Sequence, residues 1–582
     1  MIRVTQRHVV FVLGAVVCII LASLMLPSLN RDRQMGQLTV SNLSQNAPPQ
    51  LVLATTALGG FRGLLVAGIW WRAAEMQSEG RYWELVQLYD WIGEMQPHLD
   101  TIWKFAGWNM AYNIVAEIHE PEERWRWLWR SIETMRDKGL KYNPRSYIIP
   151  EQIAWTFFQK IGRETDEYYR YYMHELAVKI ENDWGSGHPD LAAIANGPKT
   201  VEELMKAPQA GDLIKRFQAE GIDLVEQYDQ IGKLLPTVSN ELQRWYNLPE
   251  HASARKLIGD FRIGRVIRKT YKMDPEQMAL MEGQITAMDW RLPEPHCIYW
   301  AEVATSNGRT YGTAKDGTDV IDATRDITFS LETLYRRGTI ISLDKKPGGD
   351  MVLTSNLDYL DPYDRLLEKM VIYYTTPPGD QERGAETILE KQKGFYKEAM
   401  MVLYFAGQNT RALDYYKRLQ NRYPSEDYVR LTLDQYVLGQ IQQMVKEWGR
   451  EEKIEYVVDG ILLQAYTFLV AGKSQWAAAY ENEAKAIWDY YRADLVRMKP
   501  GPESEKTPTY DEMKLKVRNK MLAGEYKNVP PQIVEGLRSI LAESGGATPA
   551  ETAPVPAPAT PTTPADTTRP TATVPSAATT VR

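Results

Sequence analysis

Glu294, His296 and Cys297 are the side chains of this sequence whose types come closest to a metal site. Carboxylate, imidazole and thiolate groups are all ligands of zinc, which usually takes four of them in a tetrahedral arrangement. Steps of two and one residues at the start of a helix do not place three side chains around one ion, and no second cluster supplies a fourth ligand. We therefore expect these residues to pack with Trp290 and Trp300, with Cys297 as a small buried apolar residue.

Asp358, Asp361 and Asp364 form a second candidate, because closely spaced carboxylates can bind calcium. The run lacks the closely alternating ligands, the central Gly and the bidentate Glu of an EF-hand loop. Asp361 followed by Pro362 is instead typical of a helix start, with Asp361 as the N-cap and Asp364 at the capping-box position. No metal site is predicted here.

No catalytic motif is recognisable in the sequence. The seven His residues are isolated, and neither a Walker loop nor a dinucleotide fingerprint occurs. Some periplasmic lytic transglycosylases carry a helical superhelix before a lysozyme-like domain, but the Glu543–Ser544 pair directly precedes a tail around which no domain can fold. We therefore predict that the protein is not an enzyme and takes no cofactor. A site assembled from scattered acids in the middle of the chain stays open as an alternative.

Aromatic residues are the remaining candidates for binding. They cluster at Trp70 and Trp71, at Trp103 and Trp108, at 123–130 and at 168–172. Trp125 and Trp129 share one face of a predicted helix and are expected to join adjacent helices, whereas Trp127 points about 200° away and is the better surface candidate. Arg126 and Arg130 flank it and can stack on rings or engage an acidic helix or a glycan. Trp127, Arg126 and Arg130 are the predicted partner-binding residues, with core packing as the competing interpretation.

Two stretches more than three hundred residues apart carry one spacing pattern. The pattern consists of Gly80, Leu85, Tyr89, Ile92 and Pro97 in the first stretch and of Gly407, Ala412, Tyr416, Leu419 and Pro424 in the second. A Gly separates two short helices, three residues line one face of the second helix at i, i+4 and i+7, and a Pro ends it. A third stretch, 461–488, keeps the Gly and small residues at matching offsets but lacks the final Pro.

This spacing resembles the tetratricopeptide repeat. The resemblance implies an all-α solenoid of stacked helix pairs that binds other proteins along its concave face. The function that the resemblance implies is that of an interaction scaffold, which helps to assemble an envelope transport or export complex. This inference is an analogy at the level of the fold. The alternative is a carbohydrate or cell-wall binding protein that uses exposed Trp and Tyr rings as stacking platforms.

Residues 9–26 predict a single transmembrane helix in a lipid bilayer. They contain no charged side chain and, at 1.5 Å per residue, are about long enough to cross a bilayer core of roughly 30 Å. Arg3 and Arg7 precede the run, so the positive-inside bias puts the N-terminus in the cytoplasm and the bulk of the chain outside it, in the periplasm if the protein is bacterial. A cleaved signal peptide is the alternative, although no good cleavage site follows.

A second apolar stretch covers residues 51–71. The central Arg62 costs about 2.5–3.5 kcal/mol on membrane insertion, and four Gly residues lower the helix propensity further. The preferred interpretation is therefore a buried first repeat helix. A second membrane span is the alternative, and it would return the body of the protein to the cytoplasm.

Composition suggests the organisation of the chain. We divide it into 1–29 (cytoplasmic N-terminus and anchor), 30–50 (stalk), 51–162 (N-terminal repeats), 163–380 (irregular helical middle), 381–544 (C-terminal repeats) and 545–582 (tail). Weak alternation at 338–353 predicts a small β-hairpin in an otherwise all-α chain. The tail is rich in Ala, Thr and Pro and is predicted to be disordered.

Charge and cysteine content exclude two classes of protein. A formal net charge of -7 gives no general attraction to phosphate backbones, so nucleic acid is not a predicted partner. Two Cys residues, Cys18 and Cys297, cannot build a disulfide framework, so the fold must be stabilised by packing.

Overall fold

The structure is a computed structural model. It describes residues 62–543, except for 186, 229–230, 313–320, 347, 377–381, 426, 449–450, 499–500, 502–506 and 527–528, together with five single positions before residue 62. The described chain is all-α apart from one small two-stranded sheet, as predicted, and is compatible with a helical repeat fold. It divides into two compact units, Met1–Ala385 and Glu386–Arg582.

Several predicted segments fall outside this description. The stalk at 30–50 and the tail at 545–582 lie outside the described residues, apart from Arg31, and so does most of the predicted anchor at 9–26. Within the described part of the chain, no helix combines the length and the apolar character needed to cross a membrane.

The first unit is built from helices and one hairpin. Its described helices begin with α1 Arg62–Ser78, α2 Tyr82–Met95, α3 Asp100–Trp108, α4 Pro121–Glu133, α5 Leu140–Tyr142, α6 Ile148–Trp155, α7 Tyr169–Trp184, α8 Leu191–Asn196, α9 Val201–Lys206 and α10 Pro208–Ala219. They continue with α11 Ile231–Leu234, α12 Asn240–Tyr246, α13 Ala252–Lys269, α14 Pro275–Gln284, α15 Pro293–Tyr311, α16 Ile321–Arg337, the strands β1 Thr339–Leu343 and β2 Met351–Thr354, and α17 Leu360–Thr375.

Longer helices form the second unit. The boundary between the units falls within α18 Glu382–Phe405, and the described helices that follow are α19 Asn409–Arg422, α20 Leu433–Trp448, α21 Glu451–Val470, α22 Ser474–Met498, α23 Tyr510–Leu522 and α24 Pro531–Glu543.

The helix pairs α1–α2 and α18–α19 are joined by the same turn. Gly80 and Gly407 both have φ of 72°, a left-handed conformation that Gly adopts without a steric penalty. The next residue's N–H closes each turn, from Arg81 to the Met76 carbonyl at 2.9 Å and from Gln408 to the Leu403 carbonyl at 2.9 Å. These bonds satisfy carbonyls that a helix end leaves unpaired, as in a Schellman motif.

The second helices of both pairs bury the residues that the spacing pattern picked out. Leu85, Tyr89 and Ile92 are buried in α2, and the corresponding Ala412, Tyr416 and Leu419 are buried in α19. Pro97 is buried and its carbonyl accepts a hydrogen bond from Trp103 Nε1 at 2.9 Å, whereas Pro424 is exposed. The pattern thus corresponds to one packed face in each unit. The α21–α22 pair has the same turn at Gly472, with φ of 73°.

Within the described residues of the first unit, three π-helical segments extend helices. They are Asn109–Ile114 after α3, Thr134–Gly139 after α4 and Thr156–Ile161 after α6. Nearby, Asp166 is buried and pairs with Lys160 Nζ at 2.6 Å and Arg124 NH2 at 3.2 Å, and Arg124 Nε donates to the Tyr172 hydroxyl at 2.9 Å. This network of buried side chains links α4, the third π-helical segment and α7.

The predicted β-hairpin is confirmed, but the predicted cap of the following helix is wrong. Strands β1 and β2 pair antiparallel from Thr339 opposite Thr354 to Leu343 opposite Met351, with an irregularity in register between. Asp361 is not the N-cap of α17, because that helix starts at Leu360 and follows a 3-10 turn that Asn356 caps by accepting from the Asp358 N–H at 3.1 Å.

Candidate interaction surface

Trp127 lies against Trp83 of the first helix pair. The two ring centroids are 4.9 Å apart at an interplanar angle of 85°, an edge-to-face contact that favours aromatic pairs beyond simple burial. Trp127 is half-buried against the core of α1 to α3, and its Nε1 donates to Glu123 Oε1 at 3.2 Å. Trp83 is 48% exposed and forms the outer part of the pair. Trp83 is therefore more exposed to solvent than Trp127.

The two predicted Arg residues flank this aromatic pair. Arg130 lies 5.0 Å from the Trp127 ring centroid, within the range of a cation–π contact. Arg126 pairs with Glu123 at 3.0 Å, and its side chain is 71% exposed. Trp83, Trp127, Arg126 and Arg130 together are called the Trp83–Trp127 surface below. Because Glu123 neutralises part of the charge, the surface offers rings and guanidinium groups rather than a strong field.

Trp83 was not singled out by the aromatic clusters of the sequence, although a signal was present. Helical periodicity puts a residue two positions before Leu85 about 200° away from it, which is the outward side of α2. The same rule, which places Leu85, Tyr89 and Ile92 inside, therefore places Trp83 outside.

Trp125 and Trp129 connect α4 to its neighbours. Their ring centroids are 5.5 Å apart, Trp125 stacks on Tyr172 at 6.4 Å, and Trp129 meets Phe157 edge-on at 6.5 Å. Both rings are half-buried. Their placement agrees with the predicted role of joining adjacent helices.

A further exposed aromatic pair lies on α1. Trp70 is 40% exposed and packs on Tyr89 and Phe105, with centroid distances of 6.1 and 5.9 Å. Trp71 is 78% exposed. The segment 62–71 thus lies in α1, which packs on α2 but has one open face, unlike the buried helix of the preferred interpretation; residues 51–61 lie outside the described residues.

Glu294, His296 and Cys297 have separate partners. Glu294 is buried and pairs with Arg337 at 3.1 Å, while His296 Nε2 donates to the Trp290 carbonyl at 2.8 Å and its ring stacks on Phe157 at a centroid distance of 4.9 Å. Burial lowers the pKa of His296 to about 4 and raises the pKa of the Cys297 thiol. Among the described residues, no group of three or more His, Cys, Asp or Glu side chains could hold a metal ion.

Asp326 in α16 is a perturbed residue that sequence reasoning missed. It is 2% exposed, and burial raises the pKa of its carboxyl to about 8, with the negative charges of Glu151 and Asp322 adding to the shift. The signal was its position three residues after Ala323 and four before Ser330, both on the buried face of α16. A carboxyl on a core face is expected to be held in its neutral form.

Comparisons with protein-family models, with curated protein sequences and with solved structures found no match to this chain.

Proposed function

We propose that this protein is a membrane-anchored, extracytoplasmic interaction scaffold, a tetratricopeptide-like solenoid of helix pairs that helps to assemble an envelope transport or export complex. The observation that carries the proposal is the helix pair that recurs in both units with one turn geometry at Gly80 and Gly407 and one buried face. Stacked helix pairs of this kind provide extended surfaces on which other proteins bind.

The Trp83–Trp127 surface supports binding to a protein. Trp and Arg are the residue types that contribute most to protein interfaces, because large rings bury much area and a guanidinium group makes several hydrogen bonds. Here they meet on one face of α2 and α4, with Arg126 largely exposed. An acidic or amphipathic helix is the partner that this chemistry fits.

Anchoring rests on the sequence. The apolar run at 9–26, with Arg3 and Arg7 before it, is proposed to hold the N-terminus in the membrane and to place the body on the extracytoplasmic side. An anchored scaffold concentrates its partners at the membrane without any catalytic step.

The proposal is tested by recovery of partners from the native membrane. A tagged full-length chain is crosslinked in its own membrane, purified in detergent and analysed by mass spectrometry. We expect a reproducible set of membrane or envelope proteins whose recovery falls severalfold with Arg126→Glu. Arg497→Glu is the matched control, because Arg497 forms a comparable exposed i,i+3 pair with Asp494 at 2.5 Å and its side chain is 73% exposed. Recovery of the chain alone would reject the proposal.

Carbohydrate binding is a second candidate, favoured by the exposure of the Trp71 and Trp83 rings, at 78% and 48%. Flat exposed rings can stack on sugars. Titration of the purified chain with soluble glycans tests this candidate. Binding that Trp83→Ala abolishes without a change in melting temperature would favour it, and no binding at millimolar glycan would reject it.

A further inference from the structure

Helix α1 has one buried and one open face. Val66, Ala73 and Met76 are buried, and Ile69 is partly buried, in the core that α1 shares with α2 and α3. The opposite face carries the exposed residues Gly63, Ala67, Trp71 and Ala74. Since Trp71 is 78% exposed between small neighbours, its ring stands out from the helix surface.

The open face changes character along its length. From Gly63 to Trp71 the exposed residues are uncharged, and charge begins at Arg72 and Glu75, whose side chains pair at 2.6 Å. Trp70 is oriented by its contacts with Tyr89 and Phe105, whereas Trp71 points about 100° away from it, out of the protein. The two Trp residues therefore mark the boundary between an apolar and a polar part of the helix.

The sequence that leads into α1 extends this apolar part. Residues 51–61 contain no charged side chain, so Arg62 is the only charge from 51 to 71. Trp residues at such a boundary are typical of membrane–water interfaces, where the ring lies among headgroups and acyl chain ends and the indole N–H stays hydrated. A lipid surface is thus the occupant that fits the open face.

Helix α1 cannot cross the bilayer in this arrangement. Helix α2 packs along it and carries Glu84, which is exposed and pairs with Arg81 at 3.0 Å. Carrying these charges into the hydrocarbon core is unfavourable, whereas an amphipathic helix lying in the interface needs only its apolar face there.

We propose that the open face of α1, with Trp71 at the end of its apolar part, binds the lipid bilayer surface and fixes the first helix pair against the membrane. This inference rests on the proposed membrane anchoring, since it is the anchor at 9–26 that brings α1 to the bilayer.

The test uses the full chain in phosphatidylcholine vesicles that contain a photoreactive diazirine lipid. One probe carries the diazirine near the glycerol backbone and a second carries it at the acyl chain end, and adducts are mapped by mass spectrometry. Trypsin releases the open face as peptide 63–72 and the anchor within peptide 8–31. Peptide 454–473 is the control, because its Tyr456 is 81% exposed in the second unit.

We expect the glycerol-level probe to label peptide 63–72 at least fivefold more than the chain-end probe, both probes to label 8–31, and neither to label 454–473. Trp71→Glu should lower the labelling of 63–72 severalfold and leave 8–31 unchanged, and Tyr456→Glu should change neither. Because Trp71 is exposed, the substitution leaves the core of the first unit intact.

Four results would overturn the inference. Labelling of 8–31 without 63–72 rejects it and leaves the anchor standing. Equal labelling of 63–72 by both probes indicates a membrane span instead. Protection of Trp71 from hydroxyl radicals without a lipid adduct indicates a protein on this face. Absence of label from both peptides, with release of the chain by alkaline carbonate, rejects the anchoring as well.

Discussion

Two ionisable side chains in the core of the first unit have pKa values shifted in opposite directions. Burial lowers the pKa of His296 to about 4 and raises that of Asp326 to about 8. His296 therefore stabilises the fold least at low pH, since the unfolded state gains a proton as pH falls below about 6.5. Asp326 loses its contribution as pH rises from about 4 to 8, since the unfolded state then ionises first.

Replacement of Asp326 by Asn should stabilise the first unit at neutral and alkaline pH. The folded carboxyl keeps its proton up to about pH 8, so wild-type stability falls as pH rises towards that value. The amide has nearly the same shape and no charge to lose. We expect the difference in unfolding free energy between variant and wild type to shift in favour of the variant by on the order of 5 kcal/mol as pH rises from about 4 to 8, since each unit of pKa shift corresponds to about 1.4 kcal/mol. Hydrogen exchange of α16 at pH 5, 7 and 9 measures it; a gain that is equal at all three values contradicts the argument.

Replacement of His296 by Gln should remove an acid sensitivity. Between pH 6.5 and about 4 the wild-type stability falls, because only the unfolded imidazole takes up a proton. Gln can still donate to the Trp290 carbonyl but does not titrate. The difference in unfolding free energy between variant and wild type should shift in favour of the variant as pH falls from 7 to 4.5, measured by hydrogen exchange of α15. A difference that does not depend on pH would refute this.

Loss of Asp166 should destabilise the first unit, because this carboxylate is buried with two cations. Burial alone would raise its pKa, but hydrogen bonds from Lys160 and the Tyr168 N–H, together with the charges of Lys160 and Arg124, lower it. Asp166→Ala leaves Lys160 and Arg124 buried without this partner, which should cost about 3–5 kcal/mol. Asp414→Ala breaks the exposed pair with Arg418 at 2.8 Å and should cost less than about 1 kcal/mol. Chemical denaturation measures the unfolding free energy of both variants. Equal decreases would show that burial does not set the cost of losing Asp166.

At the scale of elements, the left-handed Gly is what lets one helix fold back on another. Gly407→Ala should destabilise the α18–α19 pair by about 1–2 kcal/mol, because an L-residue is strained at φ of 72°. Gly439→Ala is the matched control. An added Cβ meets nothing within 4 Å at either position, but Gly439 lies inside α20 at an ordinary φ, where Ala should stabilise by about 0.5–1 kcal/mol. Thermal unfolding measures both variants. Melting temperatures that shift in the same direction from wild type would contradict the argument.

The elements that the sequence predicts well are those with a regular period. Leu85, Tyr89 and Ile92 repeat at helical spacing after a Gly, so both the turn and the buried face follow from local rules. Features that are set by tertiary contacts do not follow from local rules. Asp361 and Pro362 look like a helix start. However, Tyr359 and Leu360 are buried, and the 3-10 turn that Asn356 caps starts the helical segment several residues before Asp361.

The π-helical segments and the aromatic surface show the same limit. Asn109–Ile114 is a π-helix, a rare form with i→i+5 hydrogen bonds, and neither its residue types nor their period predict it. The outward direction of Trp127 follows from periodicity, but its contact with Trp83 joins helices α2 and α4, which local spacing does not relate.

At the scale of the whole molecule, the proposed anchoring at residues 9–26 can be tested by membrane extraction. We expect the full chain to stay in the membrane fraction during alkaline carbonate extraction and a variant lacking residues 1–29 to be released. Residues 9–26 provide the uncharged length that insertion needs. Release of the full chain, or retention of the shortened chain, would contradict single-helix anchoring.

The most direct test of the central claim is to map which residues of this chain crosslink to other proteins in its native membrane. The account predicts that intermolecular crosslinks concentrate on the helix pairs and that the same partner peptides recur between preparations. The reactive positions include Lys138, which pairs with Asp90 of α2, and Lys417 and Lys473 of the second unit. Crosslinks confined to this chain, with no recurring partner, would contradict a scaffold.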